Sequence, residues 1–306
     1  MNVLSLVTYP KGFYTEEIAA LRGKNVSVDI VAVPGLETND RRSIRNYLDF
    51  YRDVLGKTFH EYDLVHANYG LTAPFAVAQR HRPIVLSLWG SDLMGSLDWV
   101  STESARYCDE VIVMSEEMER DLGCDAHIIP HGVNFEQFRP MEQREARESI
   151  GWDPDGTYVL FPYDPARDVK NYPLAERVVE AVQQDLDSEI ELRAVFNVDH
   201  EDVPLYMNAA DALLLTSRRE GFPNSVKEAL ACNLPVVATD VGGIRNRLEG
   251  VRNSYSCGTE AELVARLGDV LASGDRSDGR QQAADLSVDR SAERILDVYQ
   301  QALDAA

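Results

Sequence analysis

Short apolar runs alternate with helix-length segments along nearly the whole chain, and this rhythm constrains the fold more than any other feature. In the first half the runs fall at 3–7, 26–33, 64–66, 84–88, 111–114 and 127–129. Helical segments are predicted at 15–21, 41–59, 72–79 and 116–122. The second half repeats the pattern, with runs at 158–161, 190–194, 212–215, 235–238 and 254–256 and helical segments at 173–184, 203–208, 225–231 and 260–272. Runs that are apolar throughout belong to strands buried on both faces. Strand–helix alternation with short links builds parallel, doubly wound sheets with helices on either side.

Two such halves predict an α/β protein of two Rossmann-like domains, 1–140 and 141–290, with a final helix within 291–306 crossing back onto the first. The break is expected in the polar stretch 138–156, rich in Glu, Arg, Pro and Gly. In open parallel sheets ligands bind beyond the carboxyl ends of the strands, so the ligand cleft is expected between the two domains.

Charge narrows the choice of ligand. Asp and Glu number 51 against 30 Lys and Arg, a net charge of −21, and lysine occurs only at positions 11, 24, 57, 170 and 227. An acidic, lysine-poor surface fits a protein kept in solution by concentrated salt, as in a halophilic archaeon. Such a surface repels nucleic acid and anionic lipid. Nucleic acid is therefore not expected as a partner, and membrane contact is at most peripheral. A phosphate-bearing ligand must be held by a few local cations and backbone amides. No run reaches the roughly 18 apolar residues of a membrane span, and the N-terminus lacks the basic start and cleavage site of a signal peptide, so a cytoplasmic protein is expected. Cys108, Cys124, Cys232 and Cys257 form no C-x-x-C pair and read as small core residues in a reducing compartment.

The most informative stretch runs from Ser217 through Glu220, Gly221, Phe222, Pro223, Asn224, Ser225, Val226, Lys227 and Glu228. A strand leads into a polar turn, and a helix starts near Asn224 or Ser225. A helix start offers free N–H groups and the positive end of its dipole, a ready anion site. Glu220 and Glu228 supply acceptors for hydroxyls at two places. From spacing alone, the same residues fit a capped helix with two surface glutamates equally well. A second cluster, Phe161 to Asn171, follows the first strand of the second half and carries Arg167 and Lys170. Arginine offers a planar fork and lysine a point charge, either of which suits a diphosphate.

The two glutamates, with G-F-P-N-S between them and E-A-L-A at the second, resemble the signature of glycosyltransferase family four and its GT-B relatives. The likeness extends through Ala210-Asp211 and on through Pro235 to Gly242-Gly243. The resemblance implies a retaining, metal-independent glycosyltransferase that moves a sugar from a nucleotide-diphosphate donor to a glycan, lipid or protein acceptor, with no cofactor. It implies that Glu220 contacts the donor sugar, that Glu228 holds the ribose hydroxyls, and that the backbone of Gly221 and Phe222–Val226 meets the sugar and diphosphate. Arg167 and Lys170 would neutralise the departing diphosphate, although Arg167 lies closer to the lysine than in many members. In the first half, the segments around His66, around Trp89 and Asp92, and at Ile129–Asn134 resemble the family's acceptor-side and domain-end motifs. Gly12 lies in the N-terminal loop with them.

The departures are specific. The N-terminal loop has the single Gly12 where many members have a pair. Trp89 stands where histidine is common, and Asn246 where glutamate often follows the two glycines. Asp153-Pro-Asp155 has the D-x-D pattern of metal-dependent transferases but sits beside a glycine in the polar link and reads as a turn. P-loop, dinucleotide and nucleophile-elbow patterns are all missing from the sequence. A catalytically silent donor-binding subunit or a GT-B sugar-nucleotide epimerase are the alternatives. The charge balance carries its own prediction. Debye lengths shrink from about 10 Å at 0.1 M salt to about 3 Å at 1 M, so melting temperature and transfer rate should both rise toward molar KCl. A melting curve that stays flat or falls across that range would refute salt adaptation.

Overall fold

Parallel strands need long crossover connections, and the chain supplies a helix after most of its strands. The structure, a computed structural model, describes residues 1–10, 12–35, 43–58, 61–79, 81–93 and 97–305. Lys11 of the N-terminal loop, and Arg41, Arg42 and Phe59 of the expected second helix, lie outside those residues. The chain forms two units, Met1–Gly132 with Val288–Ala306, and Val133–Ser287.

In the first unit the strands are β1 (Asn2–Val7), β2 (Ser27–Ala32), β3 (Leu64–Asn68), β4 (Ile84–Ser87), β5 (Glu110–Val113) and β6 (His127–Ile128). They pair in parallel in the order β2-β1-β3-β4-β5-β6. Having neighbours on both sides, β1 buries Val3, Leu4, Leu6 and Val7 completely. The helix Phe13–Gly23 starts from Gly12, whose φ of 62° favours glycine. The last helix, Val288–Asp304, buries Ser291, Ala292, Ile295, Val298, Tyr299 and Ala302, a helical stripe that packs on the helix Phe13–Gly23 and on β4 and β5. Polar contacts help fix it there. The Tyr299 hydroxyl lies 2.7 Å from His66 Nδ1, Ser291 donates to the Pro130 carbonyl at 3.0 Å, and Lys24 meets Glu293 at 3.1 Å.

The second unit holds β7 (Tyr158–Phe161), β8 (Glu191–Ala194), β9 (Ala212–Leu215), β10 (Val236–Thr239) and β11 (Tyr255–Cys257), parallel in the order β11-β10-β9-β7-β8. Val159, Phe161, Leu214 and Val237 from the strands meet Val178 and Val182 of the helix Tyr172–Leu186 and Leu263 and Leu267 of the helix Glu260–Ser273 in one buried cluster. Together the two parallel-sheet units have the architecture of the GT-B fold.

Several sequence expectations change. The units divide after Gly132 rather than at 140. The stretch 138–156, expected as a link, contains the helix Gln143–Ser149, packed on the helix Val203–Ala209. Not all of its charge is on the surface. Arg147 is buried, with Nη2 2.9 Å from both carboxylate oxygens of Asp211, Nε donating to the Ala209 carbonyl and Nη1 to the Pro154 carbonyl, both at 2.8 Å. Short helices at Asp98–Ala105 and Ile244–Leu248 were not anticipated. Cys232 and Cys257 are buried as expected of core thiols, but Cys124 is exposed and Cys108 half-buried. Among the described residues no helix is long and apolar enough to cross a membrane.

Removing one partner of a buried ion pair leaves the other uncompensated. Arg147→Met should therefore destabilise the second unit by about 3 kcal/mol, read by urea denaturation followed through the nearby Trp152. A loss under about 1 kcal/mol would show that the arginine does not hold this region together.

Candidate functional site

The second sheet changes winding direction between β7 and β9: the chain leaves β7 for β8 on one side and returns to β9 on the other. Loops that follow the strands flanking such a switch point diverge and leave space for a ligand. Here they are the loop 162–171 after β7 and the loop 216–223 after β9, the two segments singled out by the sequence. Backbone bonds hold them together. Thr216 Oγ1 donates to the carbonyls of Lys170 and Asn171 at 3.0 and 3.1 Å, and the Arg218 N–H donates to the Val169 carbonyl at 2.9 Å. From β10, Thr239 Oγ1 reaches the Ser217 carbonyl at 2.7 Å.

Lys170 ends a short 3-10 turn, Asp168–Lys170, and Asn171 then turns the chain with a φ of 54°. A loop lysine is ordinarily solvated. Lys170 is instead 5% exposed. Its Nζ lies 2.5 Å from Glu220 Oε1 and 3.6 Å from the centre of the Tyr163 ring. Burial pulls its affinity for a proton down and Arg167 adds to that, while the Glu220 carboxylate works in the opposite direction. Arg167 is exposed, with its guanidinium carbon 5.7 Å from the same ring.

The helix Asn224–Ala231 begins at the same end of the sheet. Its cap position is Pro223, which has no side-chain oxygen to give, and no side chain caps the first turn. Ser225 Oγ lies 2.6 Å from the Tyr163 hydroxyl. Asn224 Oδ1 is buried with no hydrogen-bond partner among the described residues. Below them Phe222 is sandwiched, with Lys227 Nζ 5.1 Å and the Arg247 guanidinium carbon 5.7 Å from its centre. Lys227 is fully buried. Val226 is buried, whereas Gly221 and Glu228 are half-buried. The structure thus brings Arg167, Lys170, Glu220 and the first turn at Asn224–Val226 to one place. Sequence reasoning missed Tyr163, which joins the two loops, and Gly242 as a support for Glu220. A Cβ on Gly242 would lie 2.6 Å from the Glu220 carbonyl oxygen and 2.8 Å from its Cβ, and the residue has a φ of 59°. The paired glycines were a visible signal for the second of these.

In the first unit the expected acceptor-side residues fall into two kinds. His66 and Asp92 are enclosed. His66 is bound at Nδ1 by Tyr299 and at Nε2 by Ser87 at 2.8 Å, and burial pulls its pKa to about 4, so the ring is neutral. Asp92 accepts from the N–H groups of Gly70, Trp89 and Gly90 at 2.8–3.0 Å and ties the loops after β3 and β4 together. Neither side chain reaches the surface, so each acts through what it holds. Trp89 and Gly12 lie nearer the surface. The Trp89 ring is surrounded by Phe13, Tyr69 and His131 at 4.9, 5.8 and 5.5 Å. His131 in turn has Nδ1 3.5 Å from Glu17 Oε2, a buried pair that sequence reasoning did not identify.

Two doubly wound sheets, one with cations and a helix start at its switch point, make up a GT-B fold, and comparison with known proteins agrees. Residues 172–273 match the family model described as Glycosyl transferases group 1. The chain is 26% identical over 300 residues to TuaC of Bacillus subtilis, a glycosyltransferase named for teichuronic acid biosynthesis, an alignment covering 78% of this chain and 72% of TuaC. The fold matches sucrose-phosphate synthase from Thermosynechococcus elongatus over 100% of both chains with a TM-score of 0.76 at 17% identity. It matches Anabaena HepE in complex with UDP and glucose over 98% of this chain and 99% of that one, with a TM-score of 0.72 at 17% identity. With these likenesses, the chain is an enzyme that transfers a sugar.

Gly242→Ala should displace Glu220, because the added methyl meets backbone as well as side chain. Misplacement of a reacting-site group by about 1 Å can cost a hundredfold, so sugar transfer by this variant should fall between about tenfold and a hundredfold. Circular dichroism should show the fold retained. Wild-type rates would show that Glu220 has room to move.

Proposed function

We propose that the chain is a retaining, metal-independent glycosyltransferase working in the cytoplasm on a nucleotide-diphosphate sugar, with a glycan, lipid or protein hydroxyl as acceptor. The observation that carries this reading is the enclosed Lys170, set against Glu220 and beside an uncapped helix start at the switch point of the second sheet. In a chain with so few lysines, a buried one at this place supports a role beyond solubility. UDP and glucose bound in the similarly folded HepE support the donor class.

The bond between the anomeric carbon and the diphosphate oxygen breaks, and its electron pair leaves with the diphosphate. That growing charge meets the Lys170 ammonium, Arg167 and the N–H groups at Asn224 and Ser225. Each prepositioned donor of this kind contributes typically about 3–4 kcal/mol to lowering the barrier. Glu220 takes the donor sugar's hydroxyls and Glu228 the ribose hydroxyls. The acceptor oxygen bonds to the anomeric carbon on the face the diphosphate leaves, and its proton passes to a diphosphate oxygen. This route to retention comes from the signature's resemblance. It needs no protein base, in keeping with the enclosure of His66 and Asp92. No cofactor enters the scheme. In this scheme the protein cations Lys170 and Arg167 and the N–H groups of the helix start take the part a metal would play.

Lys170→Ala should lower turnover at least about a hundredfold, measured by mass spectrometry of products from a panel of nucleotide sugars, and strong chelation should leave the wild-type rate intact. Near-normal turnover in the variant would remove Lys170 from the mechanism. Activity that chelation abolishes and only Mg²⁺ or Mn²⁺ restores would overturn the metal-independent reading.

A further inference from the structure

Tyr163 is absent from the roles just assigned, yet it touches both halves of the site. Its ring face lies 3.6 Å from Lys170 Nζ, within the range of a close cation–π contact, and Arg167 stands 5.7 Å from the same ring. Its hydroxyl lies 2.6 Å from Ser225 Oγ in the first turn of the helix Asn224–Ala231. Phe161 and Tyr172 pack edge-on to each other, and Phe161 packs edge-on to Tyr163, which ties this ring to the buried cluster of the unit. A phenol could serve as an acid, but this one is poorly suited. Burial first, then the Glu220 and Glu228 carboxylates, push its pKa well above the ordinary value, so the hydroxyl stays protonated.

We infer that Tyr163 is a positioning residue: its ring face holds the Lys170 ammonium and its hydroxyl holds Ser225. One side chain thereby sets the spacing between the cation and the helix start that together receive the diphosphate. The inference rests on the donor reading above and adds to it the element that fixes its geometry. Two effects follow from the two contacts. The hydroxyl governs how well the helix start is presented to a diphosphate. The ring governs how long Lys170 stays charged as pH rises. Burial and Arg167 favour the neutral amine, while the Glu220 carboxylate and the ring's electron-rich face favour the ammonium. Removing the ring takes away one of the groups here that favour the charge.

The test uses the full chain with UDP and inorganic pyrophosphate as probes for calorimetric binding, and acceptor-free release of UDP from UDP-glucose for a pH–rate profile. Tyr163→Phe keeps the ring and should weaken both probes about fivefold, with the alkaline limb of the profile unmoved. Ser225→Ala should match it, and the double variant should be no worse than either single one. Tyr163→Leu should shift the alkaline limb down by about one pH unit. In a Lys170→Arg background it should cause no shift, because a guanidinium stays charged throughout. A merely structural tyrosine would lower the melting temperature without moving that limb selectively. Should Tyr163→Leu fail to fold, Tyr163→Phe and Ser225→Ala, which keep the packing, still decide the matter. Wild-type affinity in both of those would overturn the inference while leaving the donor reading in place. If the wild-type chain bound neither probe and released no UDP, the donor reading would fall and this inference with it.

Discussion

An ammonium group enclosed by protein must find a counter-charge nearby or lose its proton. Lys170 meets this demand in a molecule that is overwhelmingly acidic, and the site is organised around the solution. Glu220 supplies the opposite charge, Tyr163 an electron-rich face, and Thr216 and Arg218 fasten the loop's backbone to the strand that delivers Glu220. The result is a cation held in a fixed place before any ligand arrives. Held this way it costs little rearrangement during reaction, which is how prepositioned charge lowers a barrier. A mobile surface lysine of equal charge would first have to be ordered. Glu220 in turn depends on a neighbouring strand end, because the missing side chain of Gly242 leaves room for its backbone.

The first unit uses polar groups differently. His66, Tyr299, Ser87 and Asp92 are buried and mutually satisfied or bound to backbone N–H groups, and Ser87 and Asp92 lie at or just beyond the carboxyl end of β4, where ligands would otherwise be expected. Fully paired interior networks of this kind specify a unique packing. The aromatic group of Phe13, Tyr69 and Trp89 is what remains near the surface, with the Glu17–His131 pair behind it.

Much of this was legible in the sequence, and for a physical reason. Strands buried on both faces write themselves as uninterrupted apolar runs, so all eleven strands lie at or within a residue or two of their expected positions. The helix start at Asn224 and the cations before Asn171 were likewise visible, because loop chemistry is local. What could not be read was anything that depends on pairing across distance. Arg147 looks like surface charge until Asp211, 64 residues away, is placed beside it. Lys227 and Lys170 look like exposed cations for the same reason. Tyr163 carries no motif of its own, since its role exists only where the loops from β7 and β9 meet.

The helix Val288–Asp304 belongs to the first unit although the whole second unit precedes it in the chain. Protein synthesis is directional, so the two units cannot mature in the order in which they begin. The second unit is continuous and can fold as soon as it has left the ribosome. The first must wait with its Phe13–Gly23 helix and the strands β4 and β5 missing their last packing partner until Tyr299 arrives to meet His66, 233 residues after that histidine was made. A nascent chain halted before residue 288 would hold a finished second unit and an unfinished first one, and the surface left open would be the one most in need of a chaperone.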